Sequence, residues 1–413
     1  MLMNVFNMGF GESILLQKDR ESLLVDCGSK RKDNAESQIE WIWSGMNDSK
    51  SISFMLTHFH EDHFNRFEAL VHHSGRKADV LYLPWINFYK NRVVLCDLAI
   101  YLYLLCTRPN ADVSFLLRNQ FKFICRCVKV DGFVYALRQG DFFQNSNTEM
   151  EVLWPKEIWF EEVGSEDMGL NEVLEFNYKK VEKIIQEILD TFFTVDKDRD
   201  KFNRYKENLK KELINFHKLF QVEGKNLFIK LDEGIQKELK RIADNQGSEL
   251  KKIDEIRERN LKGKETDVKR WRDKLREIFH DNINACSIVF RDKQLDDTYY
   301  YNLLMTGDIT KRVVDKYLYR DYFKNNLYEY MKCPHHGTST HYTVRLPQSC
   351  NLIISNGRCG NYQDISENYF NHPCLHGRRY CTNNHCEVCK NGNPCMLHHC
   401  GTEQFFSLGI PDL

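Results

Sequence analysis

The chain has 413 residues, of which 42% are hydrophobic and 28% are charged, and only 8 are proline. This length and balance exclude a single minimal module and a disordered chain, and indicate two units or one large domain with an insertion. The formal net charge of −1 provides no overall attraction for a polyanion, so binding of nucleic acid would need a local basic patch.

The first 155 residues combine short apolar runs with turn residues, a pattern typical of β-strands. Between Asn34 and Met46, apolar residues recur at helical spacing, so we expect a helix ahead of the strand that leads to His58. The predicted strands are Leu2–Phe6, Ser13–Leu16, Leu23–Val25 and Ile52–Leu56. The pattern predicts a mixed α/β (α+β) fold.

Three histidines and one aspartate follow the last of these strands within six positions, from His58 to His63. A divalent ion needs several such donors held with little freedom, and a strand end followed by a helix can aim them at one point. Chance histidines in a polar surface loop are the alternative, which so dense a set of donors disfavours. We therefore predict that His58, His60, Asp62 and His63 bind metal.

Residues 156–281 are long charged segments that carry apolar residues at helical spacing. The three apolar stripes consist of Val181, Ile184, Ile185, Ile188 and Phe192, then Phe202, Tyr205, Leu209, Leu213 and Phe216, then Val268, Trp271, Leu275 and Ile278. We interpret this segment as a helical insertion, with a coiled-coil hairpin as one form. A packing or dimerisation role is favoured, and partner recruitment or covering of the active site is the alternative.

The β pattern resumes over Cys286–Phe290, Tyr300–Met305 and Leu352–Ser355. Asp308 follows the middle strand in a Thr-Gly-Asp turn, where its carboxylate could bridge two ions. His335 and His336 are adjacent in a loop bounded by proline and glycine. Each feature is weak alone, but together with the first motif they predict a metal site.

A Cys/His-rich tail, residues 373–413, ends the chain and has ten potential metal ligands between Cys374 and Cys400. Cys386-x-x-Cys389 is the usual thiolate pair of a tetrahedral zinc site, and we predict a structural zinc ion there. The predicted ligands are Cys381, Cys386, Cys389 and Cys395. Redox-responsive cysteines and plain buried or surface cysteines remain alternatives, and a zinc knuckle can also hold single-stranded nucleic acid.

Several of these motifs together resemble the metallo-β-lactamase superfamily, and most of all the hydrolase domain of ComEC-type DNA-uptake proteins. The motifs are Gly9-Phe10-Gly11-Glu12-Ser13, Leu24-Val25-Asp26-Cys27-Gly28, His58 to His63, Thr306-Gly307-Asp308 and Pro334-His335-His336-Gly337. The resemblance covers about residues 1–155 and 282–372. It implies an αββα sandwich with metals at one edge of its two sheets, and it extends to neither the insertion nor the tail.

The resemblance also implies a role for each residue of these motifs. His58 and His60 would hold one ion, Asp62 and His63 a second, and Asp308 would bridge both. His336 would complete the second site, His335 would contact substrate, and Asp62 would also orient the attacking water. Asp26 would orient a ligand histidine, as metal-bound imidazoles generally require.

One departure from the family pattern concerns the first site, which lacks its customary third histidine. Asn282, Asn284 and Ser287 occupy that stretch instead, so Asn284 is a candidate to act beside the ligands. We expect two unequal sites that bind Zn²⁺ or Mn²⁺, the oxygen-rich one favouring Mn²⁺. The site around Asp62, His63 and His336 should be the tighter one.

The function that the resemblance implies is hydrolysis of a phosphodiester in DNA, RNA or a nucleotide, in DNA processing or anti-phage defence. A hydrolase of a small thioester, lactone or phosphoester is an alternative, since the same chemistry serves both. An assembly protein with a vestigial site is another. The first residues lack the pattern of a secretory signal, and the apolar run from Val93 to Cys106 is shorter than the roughly 20 residues of a membrane span. We expect a soluble, cytoplasmic protein.

Overall fold

The computed structural model describes residues 1–30, 35–84, 117–156, 178–192, 195–223, 226–260, 266–271, 273–274, 284–293, 299–356, 365–382 and 405–410. These residues form a mixed α/β structure with two mixed sheets, of nine and seven strands. The expectation of a mixed α/β fold is thus confirmed. Among the described helices, none is both long and apolar enough to cross a membrane.

The first sheet, which we call sheet A, has nine strands. In chain order they are β1 (Leu2–Phe6), β2 (Gly11–Lys18), β3 (Glu21–Ser29), β4 (Ser51–Met55), β5 (Ala78–Pro84), β6 (Val128–Leu137), β9 (Gln221–Glu223), β10 (Asn226–Leu231) and β16 (Phe405–Gly409). The strands lie in the order β16-β1-β2-β3-β4-β5-β6-β10-β9. Parallel pairing joins β3 to β4, β4 to β5 and β5 to β6.

The second sheet, sheet B, has seven strands. They are β7 (Phe142–Asn145), β8 (Thr148–Trp154), β11 (Val289–Asp292), β12 (Tyr300–Met305), β13 (Leu327–Lys332), β14 (Gln348–Ile354) and β15 (Cys374–Cys381). The order is β15-β14-β13-β12-β11-β8-β7, and the strands from β12 to β15 are parallel. Their carboxyl ends therefore meet at one edge of sheet B.

Three apolar cores hold these layers together. The middle core contains side chains of both sheets, such as Val25 and Met55 of sheet A with Leu303 and Met305 of sheet B, so the sheets pack face to face. A second core joins the outer face of sheet A to helices, and a third joins sheet B to helices that include Val313 and Leu318. The layers are therefore helix, sheet, sheet and helix, a consequence of strands that are apolar on both faces.

The helices that cover sheet A come from two parts of the chain. They are α1 (Ala35–Met46), α2 (Glu61–Phe64), α3 (Phe67–Ser74), α4 (Leu117–Cys127), α5 (Tyr178–Phe192), α6 (Asp196–His217) and α7 (Glu233–Asn260). The helix predicted over residues 34–46 is present as α1. On sheet B, α8 (Lys311–Val313) continues into a π-helix over Val314–Phe323, and α9 is Asn368–Asn371.

The segment predicted to be a helical insertion is helical in α5, α6 and α7, but it also supplies β9 and β10 of sheet A. The prediction of helices alone was therefore incomplete. The described apolar residues of its stripes, among them Ile188, Phe202 and Trp271, lie in the same core as sheet A. The side chains of Val181, Phe192, Leu209, Leu213, Leu275 and Ile278 lie outside the described residues.

The tail also joins both sheets, because β15 is an edge strand of sheet B and β16 is an edge strand of sheet A. Cys381 is buried at the end of β15. The other predicted ligands of a tail zinc ion, Cys386, Cys389 and Cys395, lie outside the described residues. The tail zinc site stays a prediction.

Candidate metal centre

The turn from His58 to His63 links the carboxyl end of β4 to α2, the four-residue helix that contains Asp62 and His63. Gly28 of β3 lies directly against this helix, and a Cβ atom at Gly28 would come within 2.4 Å of the backbone of Asp62 and His63. Asn65 then bonds to Ser29, since its amide donates to the Ser29 carbonyl at 2.8 Å and accepts from the Ser29 N–H at 3.0 Å. β3 therefore fixes the position of α2.

Asp26 lies on β3 beneath the turn and is fully buried. Its Oδ1 accepts the Thr57 N–H at 2.8 Å, and its Oδ2 accepts the Thr57 hydroxyl at 2.6 Å. The same Oδ2 accepts from His63 Nδ1 at 2.8 Å. The hydrogen bond to Nδ1 turns Nε2 of His63 toward Asp308, 3.2 Å away.

Asp308 lies at the middle of the centre, just beyond the carboxyl end of β12. Gly307 before it has a φ of 52°, and the Asp308 N–H donates to Ser287 Oγ at 3.1 Å. Its Oδ2 lies near the Nε2 atoms of His63 (3.2 Å), His336 (3.6 Å), His58 (3.8 Å) and His335 (3.8 Å). One carboxylate oxygen thus faces two histidines of the turn from His58 to His63 and both histidines that follow β13.

His335 and His336 follow β13 in a turn whose backbone is left-handed at both residues, with φ of 47° and 57°. His336 is fully buried, and its Nδ1 donates to the Ser355 carbonyl at 2.8 Å. Its Nε2 therefore points into the centre, 3.4 Å from Asp62 Oδ2. His335 differs, because its side chain is 13% exposed and its Nδ1 lies 2.6 Å from Thr338 Oγ1.

The donors form three overlapping groups that could hold a metal ion, each with its atoms within 4.8 Å of one another. The groups are His58, His60 and Asp308, then Asp62, His63 and His336, then Glu12, His63 and Asp308. Within the described part of the chain, buried Asp62 Oδ1 and His336 Nε2 have no hydrogen-bond partner. Unpaired buried donors and acceptors are costly, so this donor set fits divalent cations.

Charge interactions among these buried side chains are strong. Burial lowers the pKa of His58 well below its usual value, and neighbouring His63 lowers it further. Burial opposes the charge of His63, but Asp308 and Asp26 raise its pKa well above its usual value. Two carboxylates, those of Asp26 and Asp308, thus flank the ring of His63 and favour its charged form.

Asn284 belongs to none of the groups that could hold metal. It is fully buried, and its Nδ2 lies 3.3 Å from Nε2 of His341. His341 in turn stacks on His335, with ring centroids 4.0 Å apart and planes at 17°. Asn284 is thus linked to His335 through His341.

Sequence reasoning assigned no role to Glu12, Lys30, Lys332 or His341, although all four border the centre. The buried Lys332 ammonium lies 2.5 Å from Glu12 Oε2 and 3.5 Å from Asp308 Oδ1. Burial would lower the pKa of Lys332, but Glu12 and Asp308 raise it above its usual value. Of these four residues, only Glu12 could have been singled out from the sequence, since it belongs to a glycine-containing motif. A lysine or histidine near a strand end is usually exposed to solvent, so the other three attract no attention.

No protein-family model matches this sequence, and no curated protein is significantly similar to it.

Proposed function

We propose that this chain is a hydrolase of the metallo-β-lactamase fold that uses two divalent ions, Zn²⁺ or Mn²⁺, to cleave a phosphodiester. The observation that carries the proposal is the position of Asp308, whose Oδ2 lies within 3.8 Å of Nε2 atoms from four histidines. Asp62 is also buried, and its Oδ2 lies 3.4 Å from Nε2 of His336. The two facing sheets and the motif resemblance support the αββα assignment.

Each residue of the centre has a distinct task in this proposal. His58, His60, Asp62, His63, Asp308 and His336 would hold the ions, which would supply an activated water and stabilise charge on the leaving oxygen. Asp62 also orients that water, and Asp26 fixes the ring of His63. His335, whose side chain is 13% exposed, would contact substrate, and burial lowers its pKa.

The substrate class rests on the ComEC-like motifs, which favour DNA, RNA or a nucleotide. Lys30 provides a cation at the rim, since its Nζ lies 3.1 Å from Asp62 Oδ2 and its side chain is 22% exposed. At this position the Lys30 ammonium could contact a phosphate oxygen of the substrate. We further propose that the protein acts in DNA processing or anti-phage defence in the cytoplasm, and that residues 156–281 offer a surface for a partner or for self-association.

The first test is turnover of labelled single- and double-stranded DNA, RNA and cyclic nucleotides with added Mn²⁺ or Zn²⁺. We expect Asp62→Asn to abolish hydrolysis and lower metal content, because it removes a charged ligand and the group that orients water. Glu61→Gln, at the exposed neighbouring position, is the matched control and should retain activity. Full activity in Asp62→Asn would refute the proposal.

Two other outcomes separate this proposal from its alternatives. Turnover of a thioester, lactone or small phosphoester, with none of the nucleic acids cleaved, would identify a small-molecule hydrolase. Failure to bind metal or to hydrolyse any substrate would favour an assembly protein with a vestigial site.

A further inference from the structure

A second group of potential metal ligands lies in sheet B, apart from the centre described above. It consists of Glu329 on β13, Cys350 on β14 and His376 on β15, whose ligand atoms lie within 4.8 Å of one another. In a tetrahedral zinc site, bonds of about 2.0–2.3 Å place the ligand atoms roughly 3.3–3.8 Å apart. Only a small contraction of the three side chains is therefore needed.

An irregularity in the sheet brings His376 to this place. Ser349 of β14 pairs with Cys374, but Asn351, two residues later, pairs with Arg378. Residues 375–377 of β15 thus lie opposite the single residue Cys350 of β14. The extra residues form a bulge in β15. Bulges of this kind redirect a side chain, and this one places His376 beside Cys350 and Glu329.

Neighbouring groups already orient the carboxylate of Glu329. Its Oε1 accepts from Asn351 Nδ2 at 2.8 Å, and its Oε2 accepts from the Tyr300 hydroxyl. Such hydrogen bonds are the usual support of a metal-bound carboxylate. His376 Nδ1 lies 3.7 Å from Glu329 Oε1, close enough for one ion to contact both.

A second thiol, that of Cys374, borders the group. Its Sγ donates to the Cys350 carbonyl at 2.9 Å, at the start of the same bulge. Cys350 itself is only 3% exposed, and both cysteines are free thiols. Thiolate and imidazole donors select Zn²⁺ over harder divalent ions.

We propose that Glu329, Cys350 and His376 bind a structural zinc ion, with Cys374 as the fourth ligand. The ion would tie the edge strand β15 to β13 and β14, and so anchor the start of the Cys/His-rich tail to sheet B. This site is separate from the tail zinc predicted at Cys381, Cys386, Cys389 and Cys395. It is also independent of the proposed hydrolysis.

The test is the zinc content of the full-length protein after exchange into buffer with limiting free zinc. We expect Cys350→Ser with His376→Ala to bind one zinc ion fewer per chain than the wild type. The single variant His376→Ala should release zinc to a chelator faster than the wild type does. His376 is half-exposed, so its replacement does not disturb the core. His72→Ala, an exposed histidine on α3, is the matched control and should behave as wild type.

Cobalt substitution distinguishes this site from the tail and from the hydrolytic centre. In a Cys386→Ser/Cys389→Ser background, we expect Co²⁺ to retain a thiolate charge-transfer absorption that Cys350→Ser weakens and Cys350→Ser/Cys374→Ser removes. If the Cys386→Ser/Cys389→Ser variant loses all such absorption, the zinc belongs to the tail and the proposal is overturned. Unchanged zinc content in Cys350→Ser/His376→Ala, or a Cys350–Cys374 disulfide in the purified protein, would overturn it as well.

Discussion

At the scale of single residues, Asp26 links the turn that holds the donors to the ring of His63. It accepts hydrogen bonds from Thr57 and from His63, so one buried carboxylate fixes both the turn and a proposed ligand. Removing its charge would leave His63 free to rotate. Substitution of a partner that orients a metal ligand typically costs about 10- to 100-fold in metal affinity or activity.

We predict that Asp26→Asn lowers metal affinity by about 10- to 100-fold. The amide retains the size of the carboxylate but no longer fixes the tautomer of His63. Titration of the metal-free protein with Zn²⁺ or Mn²⁺ measures the effect. Asp48→Asn, at an exposed position, serves as the control, and equal affinities of the two variants would contradict the role of Asp26.

Metal binding should release protons, because His63 has a pKa raised by Asp308 and Asp26 despite its burial. The imidazolium must lose its proton before Nε2 can bind an ion. The apparent affinity for metal should therefore continue to rise as the pH passes above about 6.5, the ordinary pKa of histidine. Calorimetry in buffers of different ionisation enthalpy measures the proton count, and binding without proton release would contradict this assignment.

At the scale of elements, the contact between β3 and α2 decides where the metal ligands lie. Gly28 allows the backbone of α2 to approach β3, since a Cβ atom would be 2.4 Å from Asp62 and His63 backbone atoms. Neither strand nor helix can move without shifting the ligands. The glycine is thus a requirement of the site as well as of the packing.

We predict that Gly28→Ala destabilises the protein by about 1–3 kcal/mol and weakens metal binding, because overpacking must displace α2. Thermal unfolding with and without metal measures both effects. Gly409→Ala is the matched control, since a Cβ atom there would meet nothing within 4 Å. Metal affinity of Gly28→Ala equal to that of the control would show that α2 can adapt.

At the scale of the whole molecule, the helices of residues 178–260 are part of the core of sheet A. Ile242 and Leu239 of α7 are fully buried there, together with Phe121 of α4 and Ile229 of β10. A segment that shares a core in this way is expected to unfold with the sheet it covers.

We predict that Ile242→Ala lowers the free energy of unfolding by about 2–5 kcal/mol, the usual cost of emptying a buried aliphatic site. Unfolding should remain a single transition by far-UV and near-UV circular dichroism. Lys240→Ala, exposed on the same helix, should change stability little. A separate early transition in Ile242→Ala would show instead that these helices form an independent unit.

The sequence by itself determined the local features. β1 and β12 have the predicted bounds, α1 lies where helical spacing placed it, and the density of donors after an apolar strand singled out His58, His60, Asp62 and His63. Such features depend on neighbours in the chain, so the pattern of residue types reveals them.

Tertiary structure decided the features that depend on contacts between distant residues. The meeting of Lys332 with Glu12, the stack of His341 on His335, and the addition of β10 to β6 join residues far apart in sequence. The bulge that brings His376 to Cys350 likewise depends on the register between two strands. Local residue types do not encode strand register or sheet order, because these follow from how the buried faces pack.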